Sequence, residues 1–190
     1  MAAERFRSLA EDEMTPEQKR VAAALRSGPR RGLPGPFHAL LRSPVLADRV
    51  RQLGDYIRFE SSLPDPLREL AILVVARFWS AQYEWHQHRR IALEAGLDPA
   101  IPDAIAAGRR PDRMSADEAL VHDFCSQLLA DKDVSDAVYD AALARFGERG
   151  VLDMICTLGY FGFVSAILNA KRHPTPDGKT PLRPLGQDQA

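Results

Sequence analysis

The sequence predicts an all-α fold, a helical bundle. Apolar residues recur at helical spacing along nearly its whole length, capping motifs open segment after segment, and no run of residues alternates like a strand series. At 190 residues the chain is long enough to bury a sizeable core.

Each element carries its own signal. Thr15-Pro16-Glu17-Gln18 is a capping box with proline at the first helical position, and it predicts a helix to about Arg26. Residues 27–36, rich in glycine and proline, form a loop. Ser43-Pro44 opens a second helix whose stripe is Leu46, Arg49, Val50, Leu53, Tyr56 and Ile57. Asp65-Pro66 opens a third, apolar around nearly its whole circumference as far as Phe78, which places it in the middle of a bundle. Trp79-Ser80-Ala81-Gln82 is the best place for a break, with Ser80 as N-cap of a fourth helix that stops at Gly96, a natural residue just past a helix end.

Further along, Asp98-Pro99 begins a short helix ending at Gly108, and Ser115-Ala116-Asp117-Glu118 is a second capping box. Ser135 caps a helix to Gly147, and the last helix spans about 150–170. That last stretch is interrupted by Asp153, Thr157, Gly159, Gly162 and Ser165, so it reads as a buried or interfacial helix, not a membrane span. The organisation expected is one helical domain over 1–170, its core at about 43–130, and a proline-rich tail over 171–190.

Composition narrows the function classes. The net charge is −1 and the basic pairs (Arg30-Arg31, Arg89-Arg90, Arg109-Arg110, Lys171-Arg172) are short and scattered, so neither nucleic acid nor a membrane surface is an expected partner. Two cysteines, Cys125 and Cys156, stand in apolar helical patterns without a Cys-x-x-Cys. Met1-Ala2-Ala3-Glu4-Arg5 lacks the apolar core of a signal peptide, and the expected compartment is the cytoplasm.

The chemistry concentrates on the fourth helix. Glu84 and His88, four residues apart, share a face with Ala81, Trp85, Ile91, Ala92 and Ala95, whereas Gln82, His86, Arg90 and Glu94 lie opposite. An ionisable pair on the apolar face must find partners or shift its pKa. Glu69, near the start of the third helix, is one of few polar residues there; a carboxylate at that end also suits the helix dipole. In one unbroken helix Glu69 and Glu84 would be ~22 Å apart, so a shared site requires the break near Ser80. Tyr83 flanks the pair, and His38 follows Pro36-Phe37 at a loop-to-helix junction; both are candidate substrate-binding residues. His122 and His173 have no partners at informative spacing. Glu69, Glu84 and His88 would be three possible metal ligands, but the paired Glu-x-x-His motifs of di-iron bundles are missing, and neither metal nor cofactor is expected.

Glu69, Glu84, His88, Ala92 and Gly96, within Arg68-Glu69-Leu70 and Tyr83-Glu84-Trp85, resemble the carboxymuconolactone decarboxylase family, whose superfamily also holds the alkylhydroperoxidase-D-like peroxidases. The resemblance covers about 63–107 well and 43–59 more loosely. It implies an all-helical fold assembled into trimers or hexamers, with the site between helices near a subunit interface. It also implies that the peroxidase dithiol positions are occupied here by Ala81 and Glu84, which removes the thiolate nucleophile and its resolving partner. The decarboxylase branch keeps a glutamate and a histidine matching Glu84 and His88. The expectation is therefore a cofactor-independent lyase acting on a small carboxylated organic acid or lactone, with Glu69, Glu84 and His88 catalytic. In it His88 moves the proton, Glu84 holds the histidine tautomer and Glu69 is a second relay carboxylate. The alternatives are a non-catalytic oligomer with a buried Glu–His clasp and, behind it, a peroxidase-like oxidoreductase.

Overall fold

A computed structural model describes residues 5–29 and 32–185. The extreme N-terminus and the Arg30-Arg31 pair lie outside them. Eight helices account for the regular α structure, and there is no strand among the described residues: α1 (Pro16–Ser27), α2 (Phe37–Leu40), α3 (Pro44–Phe59), α4 (Asp65–Phe78), α5 (Gln82–Glu94), α6 (Ala100–Ala106), α7 (Ala116–Ala130) and α8 (Asp136–Lys171). Where the sequence suggests one helical domain over 1–170, the described residues cluster into two compact units. One comprises those of 1–61 and 167–173, the other those of 62–166 and 174–190.

In the first unit α3 meets α1 and α2. Both capping-box bonds of α1 are present, Thr15 Oγ1 accepting from the Gln18 amide and Gln18 from the Thr15 amide, and the Gln18 side chain also donates to the Leu41 carbonyl at 2.8 Å. Val21, Leu25, Phe37, Leu41, Ala47 and Ile57 form its core.

In the second unit α4 is the axis, and α5, α6 and α7 all pack on it. Every side chain from Leu67 to Arg77 is buried, as expected of a helix apolar all round. Its last residue, Phe78, points outward. The break after α4 is a Schellman turn: the Ser80 amide donates to the Arg77 carbonyl at 2.9 Å and the Ala81 amide to the Ala76 carbonyl at 2.9 Å. Ser80 does not act as an N-cap. It occupies the left-handed position of the turn, φ 49°, which glycine fills without strain and serine does not. Gly96 (φ 96°) plays the same part at the end of α5, where the Leu97 amide reaches the Ala92 carbonyl at 3.0 Å.

The final stretch is α8, broken at Gly147 (φ 67°) where the sequence places a helix end. By length and composition α8 could cross a membrane, and 56 % of its apolar window is buried inside the protein. Asp153 on its inner side accepts from both the amide and the hydroxyl of Ser62 at 2.7 Å, satisfying a buried carboxylate and anchoring the chain ahead of α4. Leu152, Ile155 and Phe163 lie on the opposite, exposed side, so α8 is not buried all round. Residues 174–185 belong to the second unit: Leu182 is buried, its carbonyl accepts from Gln82 Nε2 and its amide donates to Gln82 Oε1, both at 2.9 Å.

Candidate active site

The turn at Ser80 reverses the chain, so that α5 lies against α4 and two carboxylates converge on one imidazole. His88 Nδ1 is 2.7 Å from Glu69 Oε2, and its Nε2 is 3.3 Å from Glu84 Oε2. The three residues are only 5, 2 and 4 % exposed, respectively. Trp85 and Ala92, on the same face of α5, are buried with them, and Phe161 of α8 closes the site by setting its ring edge-to-face against the imidazole, centroids 4.9 Å apart.

Electrostatics decide the charge state. Burial, the largest single influence, disfavours the imidazolium, but the charge and hydrogen bond of Glu69, then those of Glu84, outweigh it and raise the His88 pKa to about 9. At neutral pH His88 is therefore an imidazolium that donates from both ring nitrogens. Arg68 adds a second cation: its Nη2 lies 3.8 Å from Glu69 Oε1, while its Nη1 donates to Asp65 at 2.9 Å. Two cations facing two carboxylates make a near-neutral cluster, which a buried site tolerates far better than a lone charge.

The sequence suggests Glu84 as the group that holds the histidine tautomer; the shorter contact, at Nδ1, is made by Glu69. Glu84 sits at the other nitrogen with the looser contact, because an i,i+4 neighbour on the same helix must reach back along its own axis, whereas Glu69 approaches from the facing helix. Tyr83 lies half-buried on α5 beside Glu84. His38 belongs to the first unit, where its ring centroid is 6.2 Å from that of His173. His122 pairs with its neighbour Asp123 at 3.0 Å. Sequence spacing gave no sign of Phe161, an aromatic within an apolar run whose facing partner emerges only with the fold. Arg68 is visible as a flanking residue of Glu69, although nothing local signals that its guanidinium turns toward that carboxylate. No group of three or more His, Cys, Asp or Glu side chains is arranged to hold a metal among the described residues, and both ring nitrogens of His88 already face carboxylates.

Residues 44–120 match the carboxymuconolactone decarboxylase family. This segment holds the whole Glu69–His88–Glu84 cluster together with α3 to α6. Over 90 % of its length, and 93 % of the other chain's, it also shares the fold of an uncharacterized peroxidase-related protein from Silicibacter sp. TM1040, with a TM-score of 0.73 at 14 % identity. No curated protein matches it. Cys125 is fully buried, with its thiol pKa pushed up by burial, and Cys156 lies on α8. Neither lies in the α4–α5 cluster.

Proposed function

We propose that the protein is a carboxymuconolactone decarboxylase-like lyase that acts, without a cofactor, on a small carboxylated organic acid or lactone. The observation that carries this reading is an imidazole held between two carboxylates in a closed apolar setting, within the segment that matches the family. Decarboxylation breaks the bond to the carboxylate carbon, releases CO2 and leaves the electron pair on a conjugated enolate, which then takes one proton at carbon. His88 supplies that proton, and solvent returns one to the imidazole. Glu69 fixes the ring through Nδ1, so Nε2 is the delivering nitrogen; its looser contact with Glu84 is the one a substrate atom displaces. Glu84 then receives the Nε2 hydrogen bond again between turnovers.

The experiment is CO2 release from carboxymuconolactone and related lactone acids, comparing wild type with His88→Gln. General acid–base groups typically contribute ~10²–10⁴-fold, and a loss of that size in a folded variant is the expected result. A folded His88→Gln variant with full activity would refute the mechanism. The near-complete burial of the cluster favours a second reading, a structural clasp that fixes the register of α4 on α5. A clasp would make Glu84→Gln and His88→Gln costly in stability and silent in any assay.

We also propose that the chain assembles as a homo-oligomer, a trimer or hexamer by its resemblance. Leu152 is 58 % exposed, and Ile155 and Phe163 continue the same helical stripe, an apolar face more extensive than single scattered residues.

A further inference from the structure

Arg77, in the last turn of α4, is a buried guanidinium with no carboxylate partner among the described residues. It is 5 % exposed; its Nη2 donates to the Arg183 carbonyl at 2.9 Å, and among the described residues its Nε and Nη1 have no partner. Arginine cannot escape this by deprotonating, although burial alone lowers its pKa. The C-terminal dipole of α4 offsets part of the cost of the buried charge but leaves those N–H groups unmatched. Eight residues separate Arg77 from Glu69, about 12 Å along the helix, so this cation is no part of the His88 cluster.

Arg77 lines an open pocket of about 250 Å³ between the end of α4, the end of α6 and α7. Arg109 and Arg110 stand at the same pocket. Arg110 is committed to Asp123 through two bonds of 2.8 Å, and Asp123 also takes His122. Arg109 is exposed and has no ion pair among the described residues. Asp103, on the neighbouring side of Arg77, is held by Arg89 at 2.8 Å. Among the described residues, the carboxylates of Asp103 and Asp123 are thus held by other cations, so neither neutralises Arg77. The remaining walls are apolar, chiefly Phe78, Ile105 and Leu129.

We infer that this pocket binds a small organic monocarboxylate with an apolar body, its carboxylate on Arg77 and its body against α6 and α7. One buried unpaired guanidinium matches one negative charge, and Arg109 at the mouth attracts the anion without being needed to bury it. The volume, below the usual range for drug-sized ligands, suits a molecule of one ring. This site is separate from the proposed lyase centre and does not depend on its chemistry.

Benzoate is the probe, with the neutral isostere benzamide and inorganic phosphate as controls, measured by isothermal titration calorimetry on the full chain. Saturable binding of benzoate is expected, with neither benzamide nor phosphate binding. Arg77→Met should weaken benzoate about ten- to a hundredfold, the scale of hydrogen bonds to a charged group. Ser126→Trp, which fills the pocket from the half-buried flank of α7, should do the same without touching the guanidinium and serves if Arg77→Met does not fold. His88→Gln should bind benzoate as wild type does. Equal binding of benzamide, absence of benzoate binding, or binding that survives Ser126→Trp and is lost in His88→Gln would each overturn the assignment.

Discussion

Replacing Glu69 by glutamine tests the electrostatic account of the site most directly. Glutamine keeps the shape and removes the charge that most raises the His88 pKa. Burial, the strongest opposing influence, would then face Glu84 alone, so the pKa should fall from about 9 toward the ordinary imidazole value. Moving from 6.5 to about 9 is worth about 3 kcal/mol in favour of the imidazolium, and the folded state carries it because the unfolded chain titrates near 6.5. The sign follows from a folded pKa raised above the unfolded one. The stabilisation is complete below pH 6.5, fades as pH rises toward 9 and is gone above it. Imidazole nitrogen NMR reads the pKa itself, and denaturant titrations near pH 6 and pH 10 read the linkage. The stability gap between wild type and Glu69→Gln should be widest near pH 6 and narrow by up to about 3 kcal/mol near pH 10. A folded variant whose His88 still titrates above pH 8, or a gap equal at both pH values, would refute the reasoning.

Other outcomes follow from single features. Ser80→Gly should stabilise the second unit by up to about 1 kcal/mol, because a left-handed serine costs ~1–2 kcal/mol and the greater freedom of glycine in the unfolded chain takes part of that back; a thermal melt checks it. The double variant Cys125→Ser with Cys156→Ser should retain any lyase turnover, since neither thiol lies in the α4–α5 cluster; an activity lost together with the thiols would point to redox chemistry instead. Leu152→Glu with Phe163→Glu should shift the sedimentation profile toward monomer, whereas an unchanged profile would place the assembly face elsewhere.

Much of this protein is written locally in its sequence. The capping boxes at Thr15 and Ser115 open helices where they stand, because a hydroxyl and a carboxylate or amide three residues apart satisfy orphan amides without help from the rest of the chain. The all-round apolar α4 is buried from Leu67 to Arg77, and the ionisable pair on the inner face of α5 is buried as its helical phase requires. Tertiary structure decided what those groups meet. The reversal that brings Glu69 onto His88 depends on a left-handed serine, a conformation with no strong sequence signature, and with it went the choice of which carboxylate holds Nδ1. The division into two units, the outward side of α8 and the ring of Phe161 on His88 all depend on which neighbours fill which faces, and periodicity does not record that. Nor does sequence show that Arg77 is unpaired. A charge is satisfied or orphaned only by what surrounds it in space, and its surroundings come from segments far apart in the chain.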